Sequence, residues 1–334
     1  MFRFVVRTGV VMLAIGVATG LWVYTEVHRP YGDFPDPVTF EYLPGADGNE
    51  TAESLQQLGV VPSRWHFLAA RALFPDKVLM AGEYQFSVAA SPWDVISRLA
   101  DGDIYLRTLT IPEGLTRFET AALVADSGYA DREEFLALTA DPEPIRDLFP
   151  EARSLEGFLF PETYSLPKTT TAEQIIRAML ANFRDAFEAA SEGVDTEFAP
   201  YQTVILASLI EKETGIATER PLVSAVFHNR LKRGILLQCD PTIIYGLLLE
   251  GRYRGNIYES DLRDPHPYNT YLHGGLPPGP IASPGAASLR AALSPAESEY
   301  IFFVANPSGD GSHTFSVSLT AHNRAVAKFR AGGD

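Results

Sequence analysis

Residues 8–25 read TGVVMLAIGVATGLWVYT, eighteen consecutive positions without a charge. An apolar run of this length satisfies its backbone polar groups within itself only as a helix. At 1.5 Å per residue it spans roughly 27 Å, close to the thickness of a bilayer core. Arg3 and Arg7 precede the run and Glu26 follows it. Positive residues stay on the cytoplasmic side, so this asymmetry predicts a cytoplasmic tail over 1–7, a spanning helix over 8–25, and everything after it outside. Trp22 and Tyr24 fall where an interfacial aromatic belt would lie. The alternative is a cleaved signal peptide. Against it, the run lacks a clean small-x-small site, although Ala14-Ile15-Gly16 and Ala18-Thr19-Gly20 come near one. Three prolines and a glycine within His28–Pro37 predict an extended linker over 26–37.

Beyond the anchor, 334 residues suffice for two domains of ordinary size. Apolar content of 46% against 21% charged fits a folded chain rather than a disordered one. A net charge of −15 repels phosphate backbones and argues against a nucleic-acid partner. Cys239 is the one cysteine, so there is no intrachain disulfide, and the residue reads as a small buried apolar group. HExxH, GxSxG, Walker and zinc-ligand spacings are all missing from the sequence, and neither a metal nor a cofactor is expected.

Periodicity divides the remainder in two. Val38–Tyr42 and Gly82–Val88 alternate as strands. Between them, helices begin near Thr51 and carry Trp65, Leu68, Ala69, Ala72 and Leu73 at helical spacing. Ser91-Pro92 opens another helix, completing a small mixed module over 38–105. The second unit, 106–334, starts with the strand Leu106–Ile111. Thr116 and Glu119 then form a capping box. A long amphipathic helix covers about Thr170–Ser191, and further helices cover Tyr201–Thr214 and Arg220–Lys232. A hairpin of Tyr300–Val304 and His313–Val317 around NPSGDG precedes a last helix, Leu319–Phe329. The expected class is α+β.

The Tyr201–Thr214 helix is apolar on all sides until it ends in Glu211-Lys212-Glu213, so it is buried. Glu211 shares a face with Val204, Ala207 and Ser208. Desolvation there favours the protonated acid, the form that glycosidic cleavage needs. Glu213 points to the opposite side and could be the buried one instead. Gln238-Cys239-Asp240-Pro241-Thr242 with Tyr245 makes a second cluster, readable also as a structural turn. The loop Tyr268-Asn269-Thr270-Tyr271 offers rings for stacking and an amide for hydroxyls, though any rigid loop can look the same. His313 and His322 stand nine apart, which is no metal-ligand spacing.

Several blocks in order resemble the YceG-like family of endolytic murein transglycosylases (the MltG type). They are Ile111–Gly114 (IPEG), Leu155–Tyr164 (LEGFLFPETY), Ala207–Thr214 (ASLIEKET), Phe227–Leu231 (FHNRL), Gln238–Gly246 (QCDPTIIYG), Tyr268–Tyr271 (YNTY), Gly275–Ile281 (GLPPGPI) and His313–Phe315 (HTF). Cys239 departs from the pattern, which usually has a small hydroxyl residue there. The resemblance implies that the 38–105 module is similar to a LysM-type glycan-binding unit and that 106–334 is catalytic, with Glu211 as the acid. It implies substrate contacts from Asn229, Gln238, Asp240, Tyr245, Tyr268, Asn269, Tyr271, His313 and Phe315. It further implies cleavage of the MurNAc-β-1,4-GlcNAc bond to a 1,6-anhydro end. The expected setting is the periplasmic face of the inner membrane, with peptidoglycan strands as substrate and cell-wall synthesis machinery as partner. One carboxyl can serve as acid and then base, and no second acid paired with Glu211 is evident in the sequence. A water-using muramidase would need one, with Asp240 or Glu156 the candidates. A non-catalytic, membrane-tethered glycan-binding scaffold is the other alternative.

Overall fold

The computed structural model describes residues 2–332, with side chains from residue 7 onward. Met1 and the side chain of Arg3, on which part of the topology reading rests, lie outside the described residues. The chain clusters into two compact units: residues 1–108 with 165–169, and residues 109–164 with 170–334.

Unit 1 begins with helix α1 (Phe2–Val27). Within it, Arg7–Val27 is long and apolar enough to cross a membrane, and almost none of that stretch is buried in the protein. Strand β1 (Val38–Tyr42), helices α2 (Gly48–Gln57) and α3 (Arg64–Ala72), strand β2 (Gly82–Phe86) and helix α4 (Pro92–Asp101) follow. β1 and β2 pair antiparallel, Val38 opposite Phe86 and Tyr42 opposite Gly82. Asp47, rather than Thr51, caps α2, accepting the N–H groups of Asn49 and Glu50. Ser91 caps α4 in a capping box with Asp94, and Pro92 fills the first turn where its missing N–H costs nothing. Leu55, Phe67, Tyr84, Phe86, Ile96 and Leu99 form the core.

The stretch expected as an extended linker is tied into this unit. Val27 is 1% exposed within the core. His28 stacks on Trp93 with ring centroids 4.8 Å apart. Tyr31 and Ala90 exchange both backbone hydrogen bonds. Three prolines favour extended backbone, but the aromatic residues among them give that backbone something to pack on. Residues 165–169, read from the sequence as part of the larger domain, cluster with unit 1, and Lys168 pairs with Glu41 at 3.1 Å.

The chain continues through β3 (Leu106–Thr110), α5 (Arg117–Asp126), α6 (Arg132–Ala140), β4 (Thr163–Pro167), α7 (Ala172–Ser191), α8 (Pro200–Glu213), α9 (Arg220–Lys232), α10 (Asp240–Leu249), α11 (Ala286–Leu293), β5 (Phe302–Ala305), β6 (His313–Ser316) and α12 (Leu319–Ala331). β3 pairs with β4 and β5 with β6, each in a two-stranded sheet. Sheets this small cannot make a core alone, and in unit 2 helices supply it. α8 is its centre, contacted by α9, α10 and α11. Val204, Leu206, Leu209 and Ile210 of α8 are fully buried, each contributing roughly 1.5–3 kcal/mol. Gly157, at φ +85°, lets the LEGF turn approach Pro280; a Cβ there would meet the proline ring at 2.4 Å. The mixed α+β class stands.

Candidate active site

α8 ends between two different environments. Its last turn carries Glu211 and Glu213, two positions apart and so on different sides of the helix.

Glu211 does not face the apolar surroundings expected of it. Its side chain is 5% exposed, but the carboxylate is fully engaged. Oε1 lies 3.2 Å from Arg220 Nη2, and Oε2 accepts the Gly285 N–H at 2.9 Å. Gly285 is the N-cap position of α11, so Glu211 sits at the positive end of that helix. Arg220 is also held by Ser288 Oγ at 3.1 Å and reaches a second carboxylate, Glu113, at 3.4 Å. Both oxygens of Glu211 thus already hold donors supplied by the protein itself. The sequence expectation of a solitary acid fails here, because Glu113 of the IPEG turn lies across Arg220 from Glu211. Burial and the neighbouring Glu211 push the Glu113 carboxyl above its usual range, with Arg220 pulling the other way. Glycine at 285 makes room for this: a Cβ would come within 1.9 Å of Glu113 Oε1.

Glu213 faces a pocket of about 270 Å³, which it lines with Phe227, Arg230, Gln238, Cys239, Asp240 and Tyr271 among others. Burial pushes its carboxyl above the usual range. Asp240 adds to that shift, while a hydrogen bond from Cys239 opposes it. Cys239 Sγ donates to Glu213 Oε1 at 2.9 Å. Burial and the adjacent Glu213 hold the thiol itself protonated, which keeps it a donor. Across the pocket, the Tyr271 hydroxyl donates to Asp240 Oδ1 at 2.6 Å. Gln238 is exposed and holds φ at +51°, the one non-glycine in left-handed backbone among the described residues. Arg230 fixes that corner by donating to the carbonyls of Leu236, Leu237 and Ile301.

The structure therefore brings together Gln238, Asp240 and Tyr271 of the expected contacts. Others are committed elsewhere. Asn229 donates both amide hydrogens to the carbonyls of Ser298 and Tyr300, each at 2.9 Å. Asn269, 2% exposed, donates to Leu262 and Asp264 carbonyls and accepts the Tyr271 N–H. It is a staple that shapes the loop presenting Tyr271, with no hydrogen left for a sugar. Tyr245 and Tyr268 are buried against each other, centroids 5.0 Å apart. His313 pairs through Nδ1 with Glu219 at 2.7 Å, and half-buried Phe315 packs near Tyr300 and Phe303. Glu156 is enclosed, accepting the Arg117 N–H; burial raises its carboxyl to about 7. Of the two carboxylates weighed as partners for a water-using mechanism, only Asp240 lines the pocket with Glu213.

Sequence reasoning missed Arg220, Glu113 and the pocket-lining Arg230. An arginine in a mid-chain helix carries no spacing signal; Arg220 and Glu113 are 107 positions apart. No group of three or more residues able to hold a metal ion occurs among the described residues.

The molecule is similar in fold to the crystal structure of a YceG-like protein from Listeria monocytogenes, with a TM-score of 0.55 at 30% identity over 86% of this chain and 99% of that one. Its sequence is 33% identical over 266 residues to an endolytic murein transglycosylase of Bacillus subtilis, covering 75% of this chain and 72% of that protein. A Streptococcus pneumoniae protein of the same name is 29% identical over 87% of this chain, which spans 58% of that longer protein. The sequence model of the YceG-like family matches residues 40–328, and on that extent the chain belongs to the YceG-like family.

Proposed function

We propose that this chain is a membrane-anchored lytic transglycosylase that cuts inside peptidoglycan strands, with Glu213 rather than Glu211 as its acid and base. The names of its relatives support the activity. The observation that carries the residue assignment is the contrast at the end of α8: Glu213 is a desolvated acid on a pocket wall, and Glu211 has both carboxylate oxygens held by Arg220 and the Gly285 N–H. At about 270 Å³ the pocket approaches the lower end of small-ligand sites.

In the reaction, protonated Glu213 gives its proton to the oxygen bridging MurNAc C1 and GlcNAc C4. The C1–O bond breaks, its electron pair leaving on that oxygen, and an oxocarbenium-like centre forms at C1. The C6 hydroxyl of the same MurNAc attacks C1, and its proton returns to the Glu213 carboxylate. One carboxyl serves both transfers. The attacking hydroxyl is tethered, so proximity favours it over water. Tyr271 and Gln238 are placed to meet sugar hydroxyls or an acetamido group. The β1-α2-α3-β2 order of unit 1 supports its reading as a LysM-like glycan module. The apolar Arg7–Val27 stretch supports a single-pass inner-membrane anchor, and Arg3 and Arg7 before it against Glu26 near its end support a periplasmic side for everything after it.

Mass spectrometry of glycan digested by the ectodomain tests the product. Strands ending in 1,6-anhydro-MurNAc are expected. Reducing ends alone, heavier by one retained water, would establish the second reading, a muramidase in which Asp240 activates water. That reading has one observation in its favour: Asp240 shares the pocket with Glu213. No glycan fragments at all, from folded protein, would leave the scaffold reading.

A further inference from the structure

α3 carries an apolar stripe, exposed at Trp65, Ala72 and Leu73 and half-buried at Ala69, that the catalytic reading does not use. Trp65, Ala69, Ala72 and Leu73 recur at i, i+4, i+7 and i+8, which places them on one face. Leu73 follows the helix as its C-cap residue. Trp65 is 65% exposed and Leu73 50% exposed. A tryptophan left that open in a folded module loses the burial that normally offsets ordering so large a side chain.

The stripe continues a surface that begins on α1. Trp22, Val23 and Val27 of α1 line one pocket of about 200 Å³ with Trp65 and Ala69 of α3; Glu26 and His66, 3.8 Å apart, complete its wall, and the surface it presents is mainly apolar. Trp22 lies five residues, roughly 8 Å of helix rise, before the end of the apolar stretch at Val27. If α1 crosses a bilayer, Trp22 is at the headgroup level, and Trp65, facing the same pocket, is near that depth. Unit 1 is not free to lift away, since Val27 belongs to its core and His28 stacks on Trp93. The stripe also has interfacial flanks. The Arg64 guanidinium lies 4.7 Å above the Trp65 ring, and Arg71 follows two turns on.

We propose that α3 docks unit 1 on the outer surface of the membrane its own anchor crosses, with Trp65, Ala69, Ala72 and Leu73 set into the boundary between headgroups and acyl chains. An amphipathic helix lying in that plane buries its apolar face a few ångströms deep, with cations near the phosphates. The inference rests on the anchor reading of α1. Its consequence is that the glycan-facing parts of unit 1 hold a set height above the membrane instead of swinging on a linker.

The test uses the full chain in liposomes of phosphatidylethanolamine and phosphatidylglycerol. Two single-tryptophan variants are made. W22F with W93F leaves Trp65; W65F with W93F leaves Trp22. Each is quenched with lipids brominated near the headgroup end of the acyl chain, and separately with aqueous iodide. The proposal expects both tryptophans to lose most of their emission to brominated lipid and little to iodide. Trp22 quenched by lipid while Trp65 is quenched by iodide would overturn the docking but leave the anchor standing. Neither quenched by lipid would remove the anchor and the docking together. Trp65 emission that responds to added soluble glycan fragments and not to lipid would make the stripe a sugar platform and overturn the proposal.

Discussion

Glu211 and Glu213 are separated by one lysine on one helix, yet they meet opposite physics. Glu211 is buried among donors: a guanidinium, a backbone N–H and the positive end of α11. Glu213 is buried beside a weak thiol donor and a like charge, Asp240. The first surroundings occupy both carboxylate oxygens with donors; in the second, burial favours the neutral acid. The lesson is that burial alone does not make an acid catalyst. What a buried carboxylate is offered in exchange for its water decides its role, and that exchange partner comes from elsewhere in the chain.

The comparison breaks most sharply in activity. Glu213→Gln removes the proton while keeping the shape, and should lower turnover by roughly 100- to 10,000-fold with glycan binding retained. Glu211→Gln should fold less stably and cost no more than about tenfold. The reverse ranking, measured on the same glycan, would return the acid to Glu211.

The next effect is on stability. Arg220→Met leaves Glu113 and Glu211 facing each other without their shared cation. Removing one partner of a buried pair costs about 3–5 kcal/mol. Denaturant unfolding should show a loss of unfolding free energy of that order. A loss under about 1 kcal/mol would mean the cluster is solvated and does not set Glu211 apart.

Glu156 sharpens the contrast, as a buried carboxyl with backbone and phenol partners. Its folded-state value of about 7 exceeds the usual 4.5. A raised carboxyl binds its proton more tightly in the folded state, so its contribution is complete below about 4.5 and is lost as pH rises through about 7. The swing is on the order of 3 kcal/mol. Glu156→Gln should flatten the stability of the ectodomain between those two pH values. An unchanged slope in a melting series would contradict this.

The smallest effect tunes Glu213 itself. Cys239→Ser replaces a weak donor with a stronger one on Oε1, which favours the carboxylate. The alkaline limb of the rate profile, where the acid is lost, should move to lower pH by about half a unit to one unit. The same substitution should not move that limb in a Glu213→Asp background, where the shorter side chain withdraws from position 239. A limb that stays put in the parent chain would detach Cys239 from the acid.

Local signals made much of this molecule legible. Apolar periodicity located α7, α8 and α9 nearly to the residue, because a buried stripe must recur at the helical period whatever it packs against. Ser91-Pro92 and the Thr116–Glu119 capping box announced α4 and α5, since a helix start is settled within four residues. α6, α10 and α11 were missed: α10 is apolar without a stripe, and α11 lies under a glycine- and proline-rich approach. The all-round apolar character of α8 also predicted a buried helix ending in Glu211 and Glu213, with either able to be the buried acid.

Which glutamate serves, and as what, was a tertiary decision. The groups that differ between them are Arg220, Gly285 and Glu113 on one side, and Cys239, Asp240 and Tyr271 on the other. None of these shares α8: Arg220 and Asp240 open α9 and α10, and the others come from the turns and loops around them. Asn269 shows the same limit from the other direction. Its amide beside two tyrosines suited a sugar, until the fold turned both its hydrogens to backbone carbonyls. Periodicity reports which side of an element is covered. A carboxylate or an amide takes its chemistry from whatever covers it, and those contacts reach across as many as 107 positions of chain.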